Sequence, residues 1–179
     1  MFIKIIKKLK NKKMDKALSN YEISAALNNE VRVIKYEDLP YFHNIAELLF
    51  PYGCCVINYP IEVDTGHWVA VFYSKNSQRR KIVEFFDPYG MFPDDEFLFS
   101  KSNKTNPHYL AQILLTSPYP IEYNEIDYQK KMNGVDTCGR HVINRLLHRN
   151  LTMKKYNSTF GPASGHDPDT LVTYLTEGI

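Results

Sequence analysis

Two stretches near the middle of the chain carry its strongest β pattern. HWVAVFY at 67–73 and KIVEFFD at 81–87 are runs of β-branched and aromatic residues separated by the polar segment SKNSQRR, which predicts a hairpin. CCVINYP at 54–60 predicts a strand before it, and VRVIKY at 31–36 a shorter one that ends at Asp38-Leu39-Pro40. A further strand is expected near 120–127, PIEYNEID. Between these lie segments of helical character: 15–27, 43–50 closed by Pro51-Tyr52-Gly53, and 107–116. CGRHVINRLLHR at 138–149 sets Val142, Ile143, Leu146 and Leu147 on one helical face, with Asp136 or Thr137 as its N-cap. The chain then reads as a Gly/Ser/Pro loop over 157–166 and a short helix that starts at Asp167-Pro168. Strands and helices interleave without repeats, so one domain is expected throughout.

Composition narrows this only a little. With 179 residues, 44% hydrophobic and 23% charged, the chain has the make-up of one compact domain with a sizeable core. The net charge of +2 hides an uneven distribution: residues 1–16 hold seven lysines and one aspartate, +6, which leaves −4 for the rest. The expected organisation is a basic arm over 1–14 and one domain over 15–179. The arm suits DNA or another polyanion, an anionic surface, or a solvated lead-in. No apolar run approaches the length of a membrane span, so a soluble protein is expected. Three cysteines, two of them adjacent, cannot form an even-numbered disulfide framework, and a reducing compartment is expected. Neither CxxC nor HxxxH spacing occurs, so neither a structural metal nor a cofactor is expected.

The candidate chemistry gathers on three residues. Cys138 stands in the first turn of a predicted helix, where the helix dipole favours a thiolate, and Gly139 keeps its approach open. Cys54 and Cys55 sit on an apolar strand and are expected to be inert. His67 opens a strand after Gly66. If the hairpin turns about the middle of SKNSQRR, opposed residue numbers sum to about 154, which sets His67 across from Asp87. A thiol nucleophile needs a base and a group to orient it, and His67 and Asp87 fill those roles. Glu84 is the rival carboxylate, mid-strand. His141 is the rival base, three residues past the thiol with no evident carboxylate. The Cys138 N–H is a natural oxyanion donor, and Gln129 or Asn133 could add a side-chain amide from the preceding loop.

GHWVAVFY, FFDPYG, an upstream glutamine and DTCGRHVINRLL, in the order His, Asp, Gln, Cys, resemble the adenain-like branch of the viral and SUMO-specific cysteine protease superfamily. The similarity covers roughly residues 50–150, more weakly 15–27, and CGRHVINRL is similar to homologues encoded by polintons and virophages. The resemblance implies an adenain/SUMO-protease-like α+β fold, with a central mixed sheet flanked by helices and the nucleophile at a helix N-terminus. It implies Cys138 as nucleophile, His67 as base and then acid, Asp87 as orienter, Gln129 as oxyanion donor and Trp68 lining the site. Gln129 lies farther from the cysteine than the family spacing, which keeps Asn133 open as the donor.

By the same resemblance the chain is a monomeric endopeptidase that acts on a capsid precursor at glycine-containing sites. It would work in the virion and the host-cell viral factory, with DNA or an activating peptide engaging the basic arm. An isopeptidase that removes ubiquitin-like modifiers is the alternative. The chain holds no Gly-Gly, so self-processing at such a site is not expected.

Overall fold

A computed structural model describes residues 14–62, 65–95 and 107–179. The expected basic arm falls almost wholly on residues 1–13, outside the described residues. Five strands form one mixed sheet in sequence order: β1 (Arg32–Lys35), β2 (Cys54–Glu62), β3 (Thr65–Lys75), β4 (Lys81–Phe86) and β5 (Ile121–Tyr123). The two outer pairs, β1 with β2 and β4 with β5, are parallel, and the two inner pairs are antiparallel. This is the expected α+β class with a mixed central sheet.

Side-chain alternation along the central strands sorts the core into two layers. Cys54, Val56, Trp68, Ala70, Phe72 and Phe86 face one side, and Cys55, Ile57, Val69, Val71, Val83 and Phe85 the other. On the first side pack Ile23 of α1 (Asn20–Ala26), Val142, Ile143 and Leu146 of α4 (Cys138–Leu147), and Tyr156 of α5 (Met153–Phe160). On the second pack Leu39 of a 3₁₀ turn, Leu48 and Leu49 of α2 (Ile45–Leu49), and Leu110, Ile113 and Leu114 of α3 (Tyr109–Leu114). The last helix is α6 (Pro168–Leu175). Burial on both faces explains why β2 to β4 read as near-continuous apolar runs.

Local signals place the helix starts. Ser19 and Glu22 form a capping box at α1, so the helix begins later than residue 15. Asn44 caps α2 and Asp167 caps α6, each accepting from a backbone N–H of the first turn. Among the described residues, no helix is long and apolar enough to cross a membrane.

Three expectations need correction. The hairpin register is shifted: Lys75 pairs with Lys81 and Ala70 with Phe86, so Val69, not His67, lies in line with Asp87. The cause is the turn, where Asn76 Oδ1 accepts from the Gln78 and Arg80 N–H groups and the Asn76 N–H donates to the Arg80 carbonyl, closing a five-residue connection over 76–80. The strand expected over 120–127 forms its ladder only over Ile121–Tyr123, because Asn124 turns its side chain to the backbone at Asp87 and Ile126. The loop expected over 157–166 is helical in its first part. Thr152 caps α5, whose Tyr156 and Phe160, four apart, pack with tilted rings 5.0 Å apart, and a 3₁₀ turn over Pro162–Ser164 follows.

Candidate active site

At the end of the hairpin where the β3–β4 ladder has stopped, the chain after Phe86 turns tightly. The Asp87 carbonyl accepts from the Gly90 N–H, and Gly90 takes φ +67°. A side chain at Gly90 would also meet the Ile126 backbone, with the Cβ 2.9 Å from its carbonyl carbon. The turn leaves Asp87 completely buried. Its Oδ1 accepts from the Tyr89 N–H at 2.8 Å and its Oδ2 from the Met91 N–H at 3.2 Å. Asn124 grips the same residue from behind: its Oδ1 accepts from the Asp87 N–H at 2.9 Å while its Nδ2 donates to the Asp87 carbonyl at 2.6 Å.

The carboxylate so held reaches His67 diagonally. His67 Nε2 lies 2.6 Å from Asp87 Oδ1, both side chains being inaccessible to solvent. With Asp87 ionised its carboxylate only accepts, which places a proton on Nε2 and leaves Nδ1 as the basic nitrogen when the ring is neutral. Tyr89 stacks on the imidazole with centroids 4.3 Å apart and planes 8° from parallel, which fixes its orientation further. The sequence expectation that His67 and Asp87 meet therefore holds, through side chains rather than through a direct cross-strand register.

Cys138 is the first residue of α4, with Thr137 as N-cap at φ −97°, ψ 2°. The thiol is buried in the core layer that also contains Trp68. Gly139 explains the close approach: a Cβ there would sit 3.2 Å from Leu18 Cβ and 3.3 Å from Trp68 Cδ1. Trp68 Nε1 donates to the Leu18 carbonyl at 2.9 Å, and the Asp136 N–H donates to the Met14 carbonyl at 2.7 Å. The segment before α1 thus straps the start of α4 to strand β3 beside His67. Trp68 lines the helix start through its ring edge. Cys54 and Cys55 lie within the sheet core, where burial pushes both thiols up, as expected for inert cysteines.

Gln129 is buried, and its Nε2 donates to the Val135 carbonyl at 2.8 Å and to the Tyr89 hydroxyl at 3.3 Å. It is therefore joined both to the loop that leads into Cys138 and to the ring stacked on His67. The Tyr128 and Gln129 N–H groups both donate to the Pro88 carbonyl, at 2.8 and 2.9 Å, which docks this loop on the Asp87 turn. Asn133 is exposed.

The two rivals take other roles. Glu84 points to the α4 side of the sheet and pairs with Arg145, Oε1 to Nε and Oε2 to Nη2 each at 2.7 Å. Burial raises the Glu84 carboxyl's pKa despite the pull of that guanidinium. His141 does have a carboxylate: Asp169, 3.1 Å from Nε2 and fully buried. Burial lowers the His141 pKa against the pull of Asp169. Asn124, Tyr89 and Asp169 were not legible as site residues. Of the three, only Tyr89 stood beside a candidate in the sequence.

The chain is 34% identical over 169 residues to an uncharacterized protein, V9, of Sputnik virophage, covering 89% of this chain and 94% of that one. Two crystal structures of the ASFV pS273R protease, one with selenomethionine, align with TM-scores of 0.41 and 0.40 at 14% and 12% identity. Each alignment covers 81% of this chain and 66% of the other, so the chain spans just under two thirds of those proteases. No family model matches the chain.

Proposed function

This chain belongs to the family of the Sputnik virophage V9 protein, and we propose that it acts there as a cysteine endopeptidase that processes virion precursor proteins. The observation that carries this reading is the buried His67–Asp87 pair at 2.6 Å, set beside the helix start that bears Cys138. Trp68, the neighbour of His67, has its ring against Gly139, the neighbour of Cys138. The domain responsible spans residues 15–179.

In this mechanism His67 Nδ1 takes the Cys138 proton, and Asp87 steadies the imidazolium that forms through the Nε2–H bond. The thiolate attacks the scissile carbonyl. The oxyanion is met by the Cys138 N–H, one of the first-turn donors that a helix leaves without an internal acceptor. Gln129 supplies the second donor by giving up its longer bond, the one to Tyr89. His67 then protonates the leaving amine, and water, deprotonated by the same ring, hydrolyses the thioester.

The substrate we propose is a capsid precursor cut at a glycine-containing site, in the viral factory of the host cell and in the virion. The enzyme would act as a monomer, with the basic residues 1–14 open to DNA or an activating peptide. Co-expression with the capsid precursor tests this: the wild-type chain should yield mature fragments, and Cys138→Ala and His67→Ala should yield none while remaining folded. Unchanged processing in either variant refutes the assignment. Cleavage confined to ubiquitin-like conjugates would replace the endopeptidase with an isopeptidase.

A further inference from the structure

Asp169 lies in the first turn of α6, far along the sequence from every residue of the proposed mechanism, yet its carboxylate reaches three parts of the nucleophile's surroundings. Oδ1 accepts from Thr137 Oγ1 at 2.5 Å and faces His141 Nε2 at 3.1 Å, and Oδ2 accepts from the Lys130 N–H at 3.0 Å. Lys130 follows Gln129, and Thr137 precedes Cys138. One carboxylate therefore closes the 130–137 loop at both ends and ties it to the second turn of the nucleophile helix. We propose that Asp169 is a positioning residue that sets the spacing between the Cys138 N–H, its thiol and the Gln129 amide; this rests on the cysteine-endopeptidase reading.

The carboxylate is fully engaged. Asp169 is completely buried and takes three donors, from Thr137, His141 and Lys130, in the first turn of α6. His141 is the third donor rather than a counter-charge, since burial holds its imidazole neutral, and its Nε2–H then points at Oδ1. The cluster has no route to the substrate of its own. His141 and Thr137 are both buried, and the Thr137 hydroxyl does not cap its own helix. A hydroxyl at an N-cap ordinarily accepts from the first turn. Here it donates backwards to Asp169, so the Cys138 end of α4 is located from the protein interior. Displacing reacting atoms by about 1 Å costs roughly 10²-fold in rate, which gives such a clamp its leverage.

The test separates a step that needs an oxyanion hole from one that does not. Acylation of Cys138 by p-nitrophenyl acetate passes through a tetrahedral oxyanion, whereas alkylation by iodoacetamide needs only the thiolate. Thr137→Val keeps the shape and removes one donor; Thr137→Ser keeps the hydroxyl; Asp169→Asn removes the charge. In the full chain, the Thr137→Val and Asp169→Asn variants should acylate about tenfold more slowly or worse. Their alkylation should stay within about twofold of wild type, and Thr137→Ser should restore acylation. Thr137→Val carries the test if Asp169→Asn fails to fold. Wild-type acylation rates in Thr137→Val, or an equal fall of both reactions, overturn the positioning role alone. A wild-type chain that alkylates but gives no acylation burst overturns the endopeptidase reading, and the role with it.

Discussion

Replacing Glu84 with Gln removes a charge from the centre of the molecule while nearly preserving shape. Glu84 and Arg145 are both fully buried and joined by two 2.7 Å bonds that link β4 to α4. In the Glu84→Gln variant the guanidinium would retain the carbonyls of His148 and Leu151, at 2.8 and 3.0 Å. It would also retain the rings of Tyr156 and Phe72, at 4.6 and 5.1 Å. It would lose its counter-ion, and an amide N–H would face one of its donors. Removing one partner of a buried pair costs about 3–5 kcal/mol, a large part of the roughly 5–15 kcal/mol that holds a domain folded. Urea titration followed by far-UV circular dichroism and Trp68 fluorescence should show the midpoint falling by about 2 M. The raised Glu84 pKa means that desolvation outweighs attraction, so Glu84→Leu with Arg145→Met should recover part of the loss. Recovery should be incomplete, because the two carbonyls are left unpaired at about 1–3 kcal/mol each. A loss below about 1 kcal/mol for Glu84→Gln, or strictly additive losses in the cycle, would refute this account.

Asp87→Asn should lower kcat for peptide cleavage by roughly 10²- to 10⁴-fold with little change in KM, since the amide no longer selects the His67 tautomer; a loss below tenfold would count against the orienting role. Gly90→Ala should destabilise the protein by about 2–3 kcal/mol in thermal or urea unfolding, because φ +67° and the Ile126 backbone both oppose a Cβ. His141 binds fewer protons folded than unfolded between its lowered pKa and the ordinary 6.5. Stability should therefore be full above about pH 6.5 and decline as the pH falls below it, by at most about 1.4 kcal/mol per pH unit for this one group. His141→Gln, which keeps a donor toward Asp169, should flatten that decline; an unaltered pH profile would contradict it.

The candidate residues whose places were visible in the sequence were those carried by strong local pattern. His67 and Asp87 stood at the ends of unmistakable strands, and Cys138 at the start of an amphipathic helix, so their elements appeared nearly as read. The exact register was out of reach because it depends on which way the Asn76 side chain turns. What lay hidden was carried by polar residues whose partners are distant in sequence. Asn124 sits in a segment that looked like plain strand, and its value appears only when the backbone of Asp87 arrives 37 residues away in sequence. Asp169 looked like one more acidic residue at a helix start, and its three donors come from positions 28 to 39 residues earlier. The helix at Met153–Phe160 was obscured by its composition: Lys, Asn, Ser and Thr dominate, and only Tyr156 is buried.

The strap at Met14 to Leu18 bears on the order in which the protein is made. Its carbonyls wait for Asp136 and Trp68, and the thiol beside them waits for a loop whose anchor, Asp169, is translated later still. A ribosome delivers these pieces over most of the length of the chain, so early segments emerge with their docking partners not yet synthesised. The surroundings of Cys138 are complete only when synthesis has passed α6, and the nascent chain carries this sulfur unassembled until then.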